Sequence, residues 1–112
     1  MAKNIIINTI KKNPEITSII SSTEFTALGA INACKELNKD IGRDISVISY
    51  GGPILEHLSS PSITTVANPL KDLGEKAIEI LFDTEKDKGK IIEFLGKPKI
   101  TERDSVHKVK IL

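Results

Sequence analysis

Cysteine is nearly missing from this chain. The one thiol, Cys34, permits neither an intrachain disulfide nor a thiolate zinc cluster. It falls in an apolar helical pattern, which assigns it to a buried face rather than to nucleophilic chemistry. Arginine is scarce as well: only Arg43 and Arg103 accompany the lysines, and 16 basic against 15 acidic residues leave a net charge of +1. The lysines alternate with acids, as in Glu85-Lys86-Asp87-Lys88. That is the pattern of a solvated loop and not the clustered basic face of a nucleic-acid module. Apolar runs stop at three residues, as in Ile5-Ile6-Ile7, where a membrane span needs roughly 18. No basic start followed by an apolar stretch and a small-residue cleavage site opens the chain. A cytoplasmic protein with no membrane partner is therefore expected.

Catalytic signatures are missing too. There is no G-x-S-x-G, hence no nucleophile elbow. His57 and His107 lie 50 positions apart with no ligand partner at metal spacing. Gly51-Gly52 is far from a phosphate loop, which needs several backbone amides and a lysine at fixed spacing. Carboxylates are scattered rather than paired. The expectation is a protein that is not an enzyme and holds no cofactor and no metal.

What is present is an ordinary soluble domain. The 112 residues, 39% hydrophobic and 28% charged, suit one small domain and exclude collagen, coiled coil and a disordered tail. Ala2 to Lys12 carries a short helical face of Ile5, Ile6 and Ile10, stopped by Asn13-Pro14. Thr17 to Ser21 is a β-branched run and reads as a buried strand. A helix follows, with an S-x-x-E start at Ser21 to Glu24 and Ala27, Leu28, Ile31, Cys34 and Leu37 at helical spacing. Asn38 to Gly42 ends it, and Ile45 to Tyr50 reads as a second strand closed by Gly51-Gly52-Pro53. Strand, helix, strand in one short stretch is a βαβ unit with parallel strands, so the class is α/β and Rossmann-like. Further along, Ile63 to Val66 reads as a third strand. Asn68-Pro69 reads as an N-cap followed by an N1 proline, and Leu70, Leu73, Ala77, Ile80 and Leu81 form one helix face. Asp83 to Lys90 is a charged loop, and Ile91 to Leu95 and Lys99 to Arg103 read as two last strands.

This topology locates a site. In open α/β sheets ligands sit outside the carboxyl ends of the strands. Here those ends are Ser22-Thr23-Glu24, where a helix begins with free amides, and Gly51-Gly52-Pro53, where no side chain blocks an approach. The bland alternative is that Thr23 only caps a helix and Gly51-Gly52 only makes a turn.

Five segments then fall in one order: Ser22 to Ala30, Asp44 to Tyr50, Pro61 to Val66, Asn68 to Gly74, and Thr101 to Ser105. The series resembles the last third of the lactose-repressor (LacI/GalR) family of bacterial transcription regulators, and the resemblance covers nearly the whole chain. It implies that residues 1–112 are the C-terminal portion of a two-lobed sensor core of the type I periplasmic-binding-protein-like fold. The βαβ unit would belong to one lobe and the helix from Leu70 to Leu81 to the other, with the last strands crossing between them. A helix-turn-helix and the first half of each lobe would lie outside this chain. The implied partners are a small-molecule effector, a sugar or related metabolite, and operator DNA reached only through the N-terminal domain.

The resemblance also implies roles for particular residues. Thr23 and Glu24 stand where the family commonly places Asn and Asp, and Gly51 and Gly52 stand where it commonly places Asp or Asn. Leu70 stands where an apolar or aromatic residue packs on the ligand, although a core leucine on an amphipathic helix would look the same. With no side chain at Gly51, a strong sugar clamp of the usual type is not expected. A homodimer is implied through a face carrying Leu28, Leu55 and Leu58. The competing idea is that these leucines fill the chain's own core, and a third is strand exchange at unpaired sheet edges. Two other classes stay open: a periplasmic sugar-binding protein of the same fold, marked by an upstream signal peptide, and a stand-alone α/β domain.

Overall fold

The computed structural model describes residues 2–51, 59–83, 89 and 91–108. Its elements run α1 (Ala2–Lys12), β1 (Ser18–Ser21), α2 (Glu24–Glu36), β2 (Ser46–Tyr50), β3 (Thr64–Ala67), α3 (Leu70–Phe82) and β4 (Lys99–Thr101). They form an α/β fold around one four-stranded sheet of order β1-β2-β3-β4. The first two pairings are parallel, with Ile19 opposite Val47 and Ser49 opposite Thr65, and the last is antiparallel, with Val66 opposite Ile100. Among the described residues no helix is long and apolar enough to cross a membrane.

The core lies between α1, α2 and one face of the sheet. Ile10, Ala27, Ala30, Ile31, Cys34, Ile45, Val47 and Ile63 form it, with Ile6, Ile19, Leu28, Leu37 and Ile41 partly buried against it. Small residues on α2 let α1 approach: a Cβ on Gly29 would stand 3.1 Å from Ala2 Cβ. Asn38 in the left-handed region ends α2, with Lys39 N–H returning to the Cys34 carbonyl at 2.9 Å.

The opposite face of the sheet is largely open, although the C-terminal segment covers Thr64 on it. Side chains alternate along a strand, so Ile20, Ile48, Val66 and Ile100 share it. Ile20 is 81% exposed, so β1 is an edge strand with one wet face and not the buried strand its composition suggests.

The C-terminal segment locks the sheet. Arg103 Nη1 donates to the Ile63 carbonyl at 2.7 Å and to Thr65 Oγ1 at 3.0 Å, and its backbone N–H donates to Thr64 Oγ1 at 2.9 Å. Ser105, fully buried, donates from its hydroxyl to the Val47 carbonyl at 2.6 Å and accepts the Thr64 N–H at 2.8 Å. Its own carbonyl accepts the Val47 N–H at 2.8 Å. The hydroxyl of Ser62 adds a bond to Asp104 Oδ2 at 3.0 Å.

Beyond β3 the chain leaves this body. Helix α3 buries no residue and touches no other described helix or strand. Leu70, Leu73 and Leu81, part of the apolar helix face read from the sequence, are exposed because no other described helix or strand packs against them. The molecule is accordingly elongated, 59 × 30 × 26 Å with a radius of gyration of 18.4 Å, against about 13 Å for a compact chain of this length. Asn68 is not the helix cap. Pro69 holds that position, with no side-chain cap bond. The two expected last strands reduce to β4, since Ile91 to Leu95 pairs with no strand among the described residues. The Asp83–Lys90 loop falls mostly outside the described residues.

Candidate functional site

Three strand ends converge on one edge of the sheet. The first is the β1–α2 junction. Thr23 has extended backbone and caps α2: its Oγ1 accepts the Thr26 N–H at 3.2 Å, while the Thr23 N–H donates to Thr26 Oγ1 at 3.3 Å. The capping pair is therefore Thr23 with Thr26, not Ser21 with Glu24. Ser21 instead donates to the Thr23 carbonyl at 2.7 Å and meets the Thr26 hydroxyl. Thr23 is exposed, and a hydroxyl has one proton and two lone pairs. Capping thus leaves it able to meet a ligand, and the two readings of this residue are compatible.

Glu24, the first residue of α2, is 7% exposed. A Cβ built on Gly51 would lie 3.8 Å from Glu24 Cγ, so the fold sets Glu24 beside the glycine that follows β2. Gly51 has φ +146, a value side chains disfavour, and its N–H donates to the Val66 carbonyl at 3.0 Å. Gly52 lies outside the described residues, as do Leu55 and Leu58. Leu28, the remaining residue of the expected dimer face, is half-buried against the chain's own core.

The third end is β3 running into α3. Leu70 opens that helix and is 55% exposed. It joins the other two ends through a bond that the sequence does not advertise: Tyr50 OH donates to Asn68 Oδ1 at 2.7 Å. Three more residues escape a reading by motif. Phe25 is 75% exposed beside Glu24. Asn68 looks like a helix cap but bonds across to β2. Ser49 Oγ is buried with no hydrogen-bond partner among the described residues. Only Phe25, a lone aromatic next to a helix start, carries a signal that could have singled it out.

Among the described residues the site is a shelf and not a pocket. A hollow of about 200 Å³ beside it is lined by Asn68, Pro69, Leu73, Phe94 and Gly96, smaller than the roughly 300–1,000 Å³ of a ligand cavity. A larger hollow, about 420 Å³, lies at the other end of the strands between Thr17, Arg43, Ser46 and His107. Its arginine is already paired with Asp40 and Asp44 at 3.5 and 3.7 Å. Among the described residues no group of His, Cys, Asp and Glu could hold a metal ion. Burial pushes the Cys34 thiol above its ordinary value, with Lys39 opposing weakly. Among the described residues the shelf offers the Glu24 carboxylate, the hydroxyl of Thr23 and backbone amides, so the chemistry available is hydrogen bonding.

Residues 2–106 match the family model described as periplasmic binding protein-like domain. The chain is 35% identical over 96 residues to the HTH-type transcriptional regulator MalR of Clostridium butyricum, covering 86% of this chain and 29% of that one. In fold it is similar to a LacI family transcriptional regulator from Arthrobacter sp. FB24 in complex with lactose, with TM-score 0.80, 22% identity, and 94% of this chain on 40% of that one. It is similar also to the lac repressor dimer bound to operator and the anti-inducer ONPF, with TM-score 0.79, 18% identity, and 96% of this chain on 37% of that one. The chain thus spans less than a third of the length of the regulator it matches and about two-fifths of the solved structures.

Proposed function

The chain belongs to the periplasmic binding protein-like domains in the form that LacI-type transcriptional regulators carry, and from that premise we propose that it is the C-terminal portion of a regulator's sensor core. The observation that carries this is the match of fold over 94% of this chain to two-fifths of a lactose-bound regulator. The intact protein works in the cytoplasm as a repressor and is not an enzyme. It takes a small effector, a sugar or related metabolite, at Thr23, Glu24, Gly51, Gly52 and Leu70. Effector binding shifts the balance between DNA-competent and incompetent states, and DNA is met by a helix-turn-helix outside this chain. Support for the site comes from the placing of Glu24 beside Gly51 at the carboxyl ends of the parallel strands, where a Cβ on the glycine would lie 3.8 Å from Glu24 Cγ.

The test is calorimetric titration of the longer regulator with a panel of sugars, lactose and ribose included. Thr23→Ala and Glu24→Ala each weaken binding about tenfold, the size of one lost site hydrogen bond. Unchanged affinity in both variants refutes the site. Chain 1–112 alone gives no sub-micromolar gel shift with any operator-like duplex at about 0.15 M salt, because its lysines are dispersed. A homodimer forms through Leu28, Leu55 and Leu58. Light scattering of Leu55→Asp and Leu58→Asp tests it, and a dimer that survives both substitutions places the contact elsewhere.

A further inference from the structure

Two crossings connect the α3 arm to the body, outward through Ala67-Asn68-Pro69 and back through Gly96 to Pro98. They run side by side: Ala67 is opposite Lys99, and a Cβ on Gly96 would collide with Pro69 and the Phe94 ring. Since α3 packs on no other described element, helix packing does not set its direction. The joint itself is stiff. Pro69 sits at φ −75, ψ 65, and the Asn68 carbonyl accepts the Leu70 N–H at 2.8 Å, the geometry of an inverse γ-turn. The Leu73 N–H then returns to the Pro69 carbonyl at 3.0 Å. These bonds tie Asn68 to the first turn of α3, so a group that holds Asn68 bears on the direction of the helix.

The Asn68 side chain is held by Tyr50, 18 residues earlier at the end of β2. We propose that this tyrosine–asparagine bond is a latch that fixes the direction of the arm relative to the body. Tyr50 precedes Gly51 and Asn68 lies two residues before Leu70, so the latch also sets how far Leu70 stands from Thr23 and Gly51. This last consequence rests on the effector reading above. The latch itself stands on the geometry.

The experiment uses chain 1–112 with spin labels at Lys12→Cys on α1 and Glu75→Cys on α3, the buried Cys34 staying unlabelled, and reads the distance distribution by pulsed electron resonance without effector. The parent gives one narrow distance. Tyr50→Phe and Asn68→Ala each raise the displaced share about twofold to tenfold. The combined variant is no broader than either alone, and the melting temperature by circular dichroism is unchanged. An unaltered distribution in Tyr50→Phe overturns the latch. So does a Tyr50→Phe chain whose body melts earlier, because the bond would then be general packing. A mistaken effector site leaves this result standing, since no ligand is present.

Discussion

Replacing Ser105 by alanine removes one oxygen from the centre of the fold. That hydroxyl is fully buried, donates to the Val47 carbonyl at 2.6 Å and accepts the Thr64 N–H at 2.8 Å. Alanine leaves both backbone groups without that partner in a site that water does not reach. Each buried, unsatisfied group costs about 1–3 kcal/mol, so Ser105→Ala, which leaves two of them, is expected to lose about 2–6 kcal/mol. That is a large part of the roughly 5–15 kcal/mol that holds a domain together. The assay is urea denaturation followed by far-ultraviolet circular dichroism, since the chain has no tryptophan. With a slope of about 1–3 kcal/mol per molar urea, a loss of about 3 kcal/mol lowers the midpoint by about 1–3 M. Ser62→Ala is the control. It removes only the exposed bond to Asp104 and should stay within about 0.5 kcal/mol of the parent. A Ser105→Ala midpoint equal to that of Ser62→Ala refutes the reasoning.

Gly42→Ala is destabilising by at least about 1–2 kcal/mol in a thermal melt, because Gly42 has φ +87 and a Cβ there would lie 2.7 Å from the Asp104 carbonyl oxygen. Thr23→Ala loses about 0.5–2 kcal/mol through the cap of α2, and Thr23→Ser restores most of it in the same melt. Cys34 reacts with a thiol reagent far more slowly in the folded chain than in urea. Its raised pKa means the unfolded chain gives up the thiol proton first, so stability is intact below the ordinary value of 9.0 and falls as pH rises above it. A flat urea midpoint from pH 8 to 10.5 in the parent, matched by Cys34→Ala, would remove that account.

Local chemistry made part of this fold readable. Helix α1 ends where the residue before Pro14 leaves the α region, and the βαβ order of β1, α2 and β2 follows from apolar spacing and turn residues alone. Its limit shows at α3. The stripe of Leu70, Leu73, Ala77 and Leu81 signals that a partner surface exists, but not whether this chain supplies it, and here none of it is buried. Ile91 to Leu95 fails for a related reason, since an apolar run becomes a strand only where a neighbour offers its hydrogen bonds. At the shelf, Thr23, Glu24 and Gly51 are legible because they sit at strand ends. Tyr50 and Asn68 are not, because their bond spans 18 residues and no local rule pairs them. The Arg103-Asp104-Ser105 piece is recognisable as a motif, yet its physical role lies in partners 38 to 58 positions away.

That distance has a consequence during synthesis. A ribosome adds about 5–20 residues per second, so the 41 residues between Thr64 and Ser105 take about 2–8 s to appear. Throughout that interval a nascent chain can carry α1, α2 and the first three strands, yet the amide of Thr64 and the carbonyl of Val47 wait for the hydroxyl that will satisfy them. The half-sealed sheet is then a substrate for chaperones, or for proteases if the wait is prolonged. A chain terminated just before Ser105 would stay in that state, with its helices formed and its seam open.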